Sequence, residues 1–216
     1  MNTEQQKSKA EVVLTELLRA LSSHKELNKT PKVEEHRLTR ASTLSIKSSH
    51  EDYGRIIGAG SKNYKSLELI VKLVAAREDE EVQLSVVPPK NHMPSRENVF
   101  RANPKWGKQQ LLPLLRCVCD GLFESGTINI QDVDPATVTC EIKVNSDSEF
   151  YVIESGDRVY EFADKNPTTK EEISVPITLK LIEKKLGNIL YSIGKANGRT
   201  CSLYIIGVNF PKAVGV

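Results

Sequence analysis

The feature that most constrains the fold is a pair of glycines between two segments of helical pattern. The first segment, residues 50–57, ends at Gly-Ala-Gly-Ser, which occupies residues 58–61. A longer segment over residues 62–77 carries apolar side chains at helical spacing, and residues 82–86 then alternate as in a strand. Glycines at the start of a helix let the backbone come close to a ligand, and the helix amides attract anions. The pattern is therefore typical of a loop that holds phosphate.

The composition is that of an ordinary globular protein. The 216 residues carry a formal net charge of +2, which supports nucleic-acid binding only weakly because such domains are often clearly basic. No apolar run approaches the roughly 20 residues that a membrane span needs. The N-terminal segment also lacks the apolar core of a signal peptide. We therefore expect a cytoplasmic protein that does not contact a membrane.

The cysteines and histidines do not indicate a metal site or an enzyme. Cys117 and Cys119 are two residues apart on a predicted helix, so their side chains point to different faces. Neither they nor Cys140 and Cys201 have zinc-site spacing. The four histidines are scattered, and no Ser-His-acid arrangement or carboxylate pair indicates catalysis. We expect free, buried thiols, no metal, no cofactor and no enzymatic activity.

Residues 10–87 predict a first unit of mixed helices and strands. Its predicted elements are a helix over 10–24, strands over 32–39 and 42–48, helices over 50–57 and 62–77, and a strand over 82–86. Ser49 and Asp52 form a Ser-x-x-Asp capping pattern at the start of the short helix. The helix over 50–57 ends at Gly58, where the glycine loop begins.

Residues 108–210 predict a second α+β unit. Its predicted elements are a helix over 111–123, a strand over 137–144, a hairpin of 150–153 with 158–162, a helix from 177 to Asn197-Gly198, and a strand over 201–205. Both units begin with an amphipathic helix and end in a long helix, a polar turn and an alternating strand, which indicates an internal repeat. The second unit has no glycine loop.

Residues 88–107 predict a linker because they contain four prolines and no periodic pattern. The segment also carries basic and aromatic side chains: Arg96, Phe100, Arg101, Lys105 and Trp106. Two interpretations stay open. The segment is either a solvated connector whose aromatics pack on a domain, or a basic strap on which Trp106 or Phe100 stacks bases of a bound strand.

The sequence around the glycine loop resembles a KH domain of the type II arrangement. The resemblance rests on residues 51–67, whose sequence is Glu-Asp-Tyr-Gly-Arg-Ile-Ile-Gly-Ala-Gly-Ser-Lys-Asn-Tyr-Lys-Ser-Leu. This sequence is similar to that of the small bacterial RNA-binding proteins of the KhpA type. The resemblance implies an α-β-β-α-α-β fold over residues 10–87 and a loop that clamps about four nucleotides. The chain departs from the family pattern at Ser61, which replaces the second loop glycine, and at Ala59, where a basic or polar residue is usual.

The tandem layout also resembles the mRNA-binding proteins of nucleus-forming jumbo phages. We therefore predict an α+β chain in which a type II KH domain is followed by a second, KH-like domain without the glycine loop. The predicted function is non-catalytic binding of single-stranded RNA, such as mRNA, with low sequence specificity. The alternative is a scaffold or adaptor that keeps the KH fold without binding RNA. The second unit is expected to add binding area, to place a second contact, or to mediate self-association or contact with a protein partner, and the near-zero net charge of residues 91–216 favours the protein contact.

The resemblance and the charges together predict the RNA-binding residues. They are Arg40, Lys47, Arg55, Ile56, Gly58, Ala59, Gly60, Ser61, Lys62 and Lys65. Lysine and arginine are expected to neutralise phosphates, and each contact steepens the salt dependence of binding. Ile56, Ile57 and Leu44 belong either to the core or to an apolar floor under the bases, and the pattern favours the core for Ile57. Tyr64 either stacks on a base or packs within the protein.

Overall fold

The computed structural model describes most of both predicted units. The described residues are 7–22, 30–37, 41–89, 106–145, 152–153, 158–159, 161–165 and 172–208. Within them the protein is a mixed α+β structure with five α-helices and two three-stranded sheets. The predicted α+β class is confirmed. Arg40 and residues 90–105, which make up most of the predicted linker, lie outside the described residues, so the domain boundaries stay a prediction.

The first half contains the elements that the sequence predicted, in the predicted order. They are α1 (Lys9–Leu21), β1 (Lys32–Arg37), β2 (Ala41–Lys47), α2 (His50–Ile57), α3 (Lys62–Ala76) and β3 (Glu81–Val87). The Ser49 hydroxyl accepts a hydrogen bond from the Asp52 amide at 3.2 Å, which confirms the predicted cap of α2. This cap and the turn at Gly58 place the glycine loop between α2 and α3.

The second half contains the predicted helices and two strands that the pattern did not predict. Its elements are α4 (Lys108–Leu122), β4 (Gly126–Asp134), β5 (Thr137–Asn145), β6 (Val152–Ile153), β7 (Arg158–Val159), β8 (Glu161–Lys165), β9 (Glu172–Pro176), α5 (Leu179–Ala196) and β10 (Thr200–Val208). The unpredicted strands are β4 and β9. Strand β4 is mostly exposed, with Ile130 as its buried side chain, so its sequence lacks a clear apolar alternation.

The two three-stranded sheets have the same connectivity. Strand β2 pairs antiparallel with β1 and parallel with β3. In the same way, β5 pairs antiparallel with β4 and parallel with β10. A parallel neighbour requires a crossover, and α2 with α3 provides it in the first half while α5 leads into β10 in the second. Each half is thus a hairpin with a third strand that returns beside its second strand.

The helices of the two halves pack against each other around one apolar core. Helices α1 and α3 of the first half contact α4 and α5 of the second, and buried side chains from both halves form one cluster. Gly121 of α4 shows how closely the helices approach. A Cβ atom at this position would lie 3.0 Å from side-chain atoms of both Val13 and Val74. The two halves therefore stabilise each other through buried apolar area.

The buried side chain of Arg199 ties together the start and the hairpin of the second half. Its Nη1 donates to the Trp106 carbonyl at 2.7 Å and to Asp132 Oδ1 at 2.9 Å. Its Nη2 donates to the carbonyls of Asp134 at 2.6 Å and Thr137 at 3.2 Å. One guanidinium group thus joins Trp106, two residues before α4, the two ends of the turn between β4 and β5, and the segment that leads into β10.

The four cysteines are free, and three of them are buried. Burial raises the pKa of the Cys119 thiol to about 12, so this thiol stays protonated and is a poor nucleophile near neutral pH. Burial is also the largest cause of a raised pKa at the half-buried Cys117. The expectation of free thiols is confirmed, and burial is confirmed for all but Cys117.

Candidate nucleic-acid interface

The glycine loop connects α2 to α3 through three residues with positive φ. Gly58 has φ 71° and ψ 169°, Gly60 has φ 60°, and Ser61 has φ 60° and ψ 24°. The Gly58 amide closes α2 by donating to the Gly54 carbonyl at 2.9 Å, and the Ser61 amide donates to the Gly58 carbonyl at 3.1 Å. The loop is therefore a tight turn that ends α2 and starts α3 with almost no intervening chain.

The tip of this loop is formed by Ala59 and Gly60. Ala59 and Gly60 are exposed. No hydrogen bond among the described residues uses their amides, whereas the Ser61 amide is held by Gly58. The Ser61 hydroxyl does not cap α3. Two amides at the tip are thus available to an anion, and they lie at the positive end of the α3 dipole.

Gly58 is the loop residue whose replacement costs most. We expect Gly58→Ala to destabilise the protein by about 2–3 kcal/mol, because its φ and ψ suit glycine alone. A Cβ atom there would also lie 2.9 Å from Asn63 Cγ and 3.0 Å from the Asn63 amide nitrogen. Urea denaturation measures the effect.

Gly60→Ala is the matched control. A Cβ atom at Gly60 meets nothing within 4 Å, and its backbone lies in the ordinary left-handed region. We expect a loss of about 1 kcal/mol for this variant. Equal losses for the two variants would contradict the geometry of the loop.

Two of the predicted cationic residues lie beside the loop with their charges uncompensated. Lys62 and Lys65 are exposed in the first turn of α3, and neither forms an ion pair within the described part of the chain. Lys47 differs, because its Nζ lies 2.6 Å from Glu34 Oε2. The hydrogen bond from Lys47 lowers the pKa of Glu34, so the Glu34 carboxylate offsets the positive charge beside it. Lys47 is accordingly a weaker candidate for phosphate contact.

The apolar candidates divide differently from the sequence-based expectation. Ile56 and Leu44 have no exposed surface and belong to the core, so Ile56 is not available to a base. Ile57, which the pattern favoured as core, is instead partly exposed next to the loop. Ile56 lies on the side of α2 that packs against the core. Ile57 is the next residue, so its side chain points about 100° away around the helix axis. Arg55 is half-buried on the last turn of α2.

Tyr64 packs within the protein instead of presenting its ring to a ligand. Its hydroxyl donates to the Leu84 carbonyl of β3 at 2.8 Å. Burial raises the pKa of Tyr64, with a further contribution from Glu68, so the hydroxyl stays a donor over the physiological range. Tyr64 therefore anchors α3 to the sheet of the first half.

Trp106, one of the two aromatic residues of the predicted strap, is also buried. Trp106 is 6% exposed and its carbonyl accepts from Arg199, so it packs on the second half as the first interpretation of the linker required. It is not available for base stacking. Phe100, Arg96, Arg101 and Lys105 lie outside the described residues.

A polar contact that the sequence did not predict braces the loop against the second half. Asn63, which is 4% exposed, donates through Nδ2 to the Arg55 carbonyl at 2.7 Å. The Ser192 hydroxyl of α5 is 3.0 Å from Asn63 Oδ1 and donates to it. Asn63 thus links the end of α2, the start of α3 and the second half of the protein. No local pattern marks this contact, because the two side chains are 129 positions apart in the chain.

The described residues contain no group of three His, Cys, Asp or Glu side chains placed to hold a metal ion. No helix among them combines the length and apolar character that crossing a bilayer requires. The arrangement is suited to holding an anion at the loop through amides and lysines.

Comparisons with protein-family models, with curated proteins and with solved structures found no significant match to this chain. The geometry of the loop and the charges around it are therefore the features that indicate a function.

Proposed function

We propose that this protein binds single-stranded RNA, without catalysis, at the glycine loop and the first turn of α3. The observation that carries the proposal is the arrangement at residues 58–61. Ala59 and Gly60 are exposed, their amides form no hydrogen bond among the described residues, and they precede a 15-residue helix whose first turn carries the unpaired charges of Lys62 and Lys65. Backbone amides, a helix dipole and lysines are the groups that proteins use to hold phosphates.

The KH resemblance of residues 51–67 agrees with this proposal. The first half has the order helix, strand, strand, helix, helix, strand that the resemblance implies, with the loop between its second and third helices. A loop of this kind contacts about four nucleotides, mainly through the backbone. We therefore propose low sequence specificity, because phosphate contacts carry no direct sequence information.

We also propose that the second half is a KH-like copy of the first half that lacks the glycine loop. The support for this is the connectivity that β4, β5 and β10 share with β1, β2 and β3. Because its helices pack against those of the first half, it adds rigidity behind the loop. We assign self-association or contact with a protein partner to surfaces of this half.

A scaffold without RNA binding is the second candidate, and two observations favour it. The Ser61 amide is used within the loop, which removes one donor from a bound phosphate. Lys47 is paired with Glu34 and contributes little net charge. In this case the loop would serve only as a turn between two helices.

Binding of a fluorescent single-stranded RNA of about ten nucleotides, compared with an RNA duplex over a series of salt concentrations, separates the two candidates. We expect binding in the micromolar range or tighter for the single strand and weaker binding for the duplex. The logarithm of the affinity should fall with the logarithm of salt concentration with a slope of about −1.4 from the two lysines alone. Absence of single-strand binding at low salt would favour the scaffold.

A further inference from the structure

Helix α5 of the second half runs antiparallel to α3 and reaches the level of the glycine loop. Two side-chain contacts define this pairing. Ser192 is hydrogen bonded to Asn63, and Asn188 Nδ2 lies 3.5 Å from Ser66 Oγ. From the first contact to the second, the residue number increases on α3, from 63 to 66, and decreases on α5, from 192 to 188. The last turns of α5 therefore lie beside the first turn of α3. The glycine loop immediately precedes that turn.

The same pairing decides which side chains share a face. Successive residues of an α-helix are about 100° apart around its axis. Lys62 precedes Asn63 by one position, and Tyr191 precedes Ser192 by one position. Consider two antiparallel right-handed helices in which one residue of each faces the other helix. The residues that immediately precede these two then lie on the same side of the helix pair. Lys62 and Tyr191 therefore lie on the same face, on opposite sides of the Asn63–Ser192 contact and about 3 Å apart along the helix axes.

Tyr191 and Lys195 are the exposed side chains that α5 presents there. The Tyr191 side chain is 51% exposed although it is a large aromatic group, and Lys195 is also exposed. They are four positions apart, so they stand one above the other on the helix. Packed helices have axes about 8–10 Å apart, which puts both side chains within reach of a strand held at the loop.

We infer that Tyr191 and Lys195 of the second half extend the RNA site beyond the loop. Tyr191 offers an aromatic face on which an unpaired base stacks, and Lys195 offers a charge to the adjacent phosphate. This inference rests on the proposed RNA binding at the glycine loop. It gives the second half a direct part in recognition, and it supplies an exposed aromatic face that Tyr64, anchored to Leu84, does not supply.

The test compares Tyr191→Ala with Tyr191→Phe and with Tyr204→Ala. Tyr204 is the matched control because it is also 51% exposed but lies on β10 of the second sheet. The probes are a single-stranded RNA of ten nucleotides and an oligonucleotide of the same length without bases. We expect Tyr191→Ala to weaken binding of the RNA by roughly tenfold, as loss of one stacked base does. Tyr191→Phe and Tyr204→Ala should bind like the wild type.

The oligonucleotide without bases separates stacking from folding. The wild type and Tyr191→Ala should bind it equally, since stacking is absent from both complexes. The inference is overturned if Tyr191→Ala binds RNA like the wild type while Lys62→Glu weakens it, and the proposed function then stands. A wild type that binds neither probe overturns the proposed function and this inference together.

Discussion

Replacing Arg199 by alanine is expected to lower the free energy of unfolding by roughly 3 kcal/mol. The guanidinium group is 8% exposed and donates to three backbone carbonyls and to Asp132. Its removal leaves those carbonyls without their donor and opens the junction between α4, the β4–β5 turn and β10. In a chain of this size the melting temperature should fall by roughly 6–12 °C. Calorimetry or thermal denaturation followed by circular dichroism measures the change.

Arg19→Ala is the control for this prediction. Arg19 is 49% exposed and pairs with Glu16 at 2.9 Å on the surface of α1. Loss of an exposed pair of this kind costs about 0.5 kcal/mol or less. If Arg199→Ala were no more destabilising than Arg19→Ala, the network around Arg199 would not stabilise the second half.

The elements with strong local signals were predictable from the sequence. Ser49, Asp52 and Gly58 supply a cap and a stop, so the predicted range of α2 agrees with His50–Ile57. The helix α3 and its following strand have regular apolar spacing, and their positions differ from the prediction by one residue at most at each end. Local chemistry decides such elements because the side chains that form the cap and the core stripe are close in the sequence.

The strand β4 was missed because its sequence gives little apolar alternation. Asn129, Gln131 and Asp132 are exposed, and its partner β5 supplies most of the buried side chains of this hairpin. The pairing of Gly126–Asp134 with Thr137–Asn145 follows from the tertiary structure and not from propensity. For this reason a strand on an open edge is harder to predict than one that is buried on one face.

The composition of the candidate site was only partly predictable. The pattern identified Gly58, Gly60, Lys62 and Lys65. In the structure the two glycines precede the N-terminus of α3 and the two lysines lie in its first turn. The contact between Asn63 and Ser192 and the place of Tyr191 depend on how the two halves pack, which no local pattern specifies. The left-handed conformation of Ser61 is also unusual for serine and was not evident from its sequence neighbours.

The double variant Lys62→Glu with Lys65→Glu is expected to lose most of its affinity for single-stranded RNA. Removing two lysines takes away about 1.4 units of the salt slope, and the two new carboxylates also repel phosphate at close range. At about 50 mM salt, where screening is weak, we expect binding at least 100-fold weaker than for the wild type. Stability should change little, because both side chains are exposed and form no ion pair among the described residues.

The matched control is Arg116→Glu with Lys184→Glu, which changes the net charge by the same amount at two exposed cations of α4 and α5 that are not among the predicted RNA-binding residues. It separates a local contact from the effect of overall charge.

The most direct test of RNA binding at the glycine loop is fluorescence anisotropy of a ten-nucleotide single-stranded RNA titrated with the wild type and these two double variants at low salt. We expect binding in the micromolar range or tighter by the wild type, nearly unchanged binding by the control, and strongly weakened binding by Lys62→Glu with Lys65→Glu. Equal affinities for the two double variants would contradict RNA binding at the glycine loop.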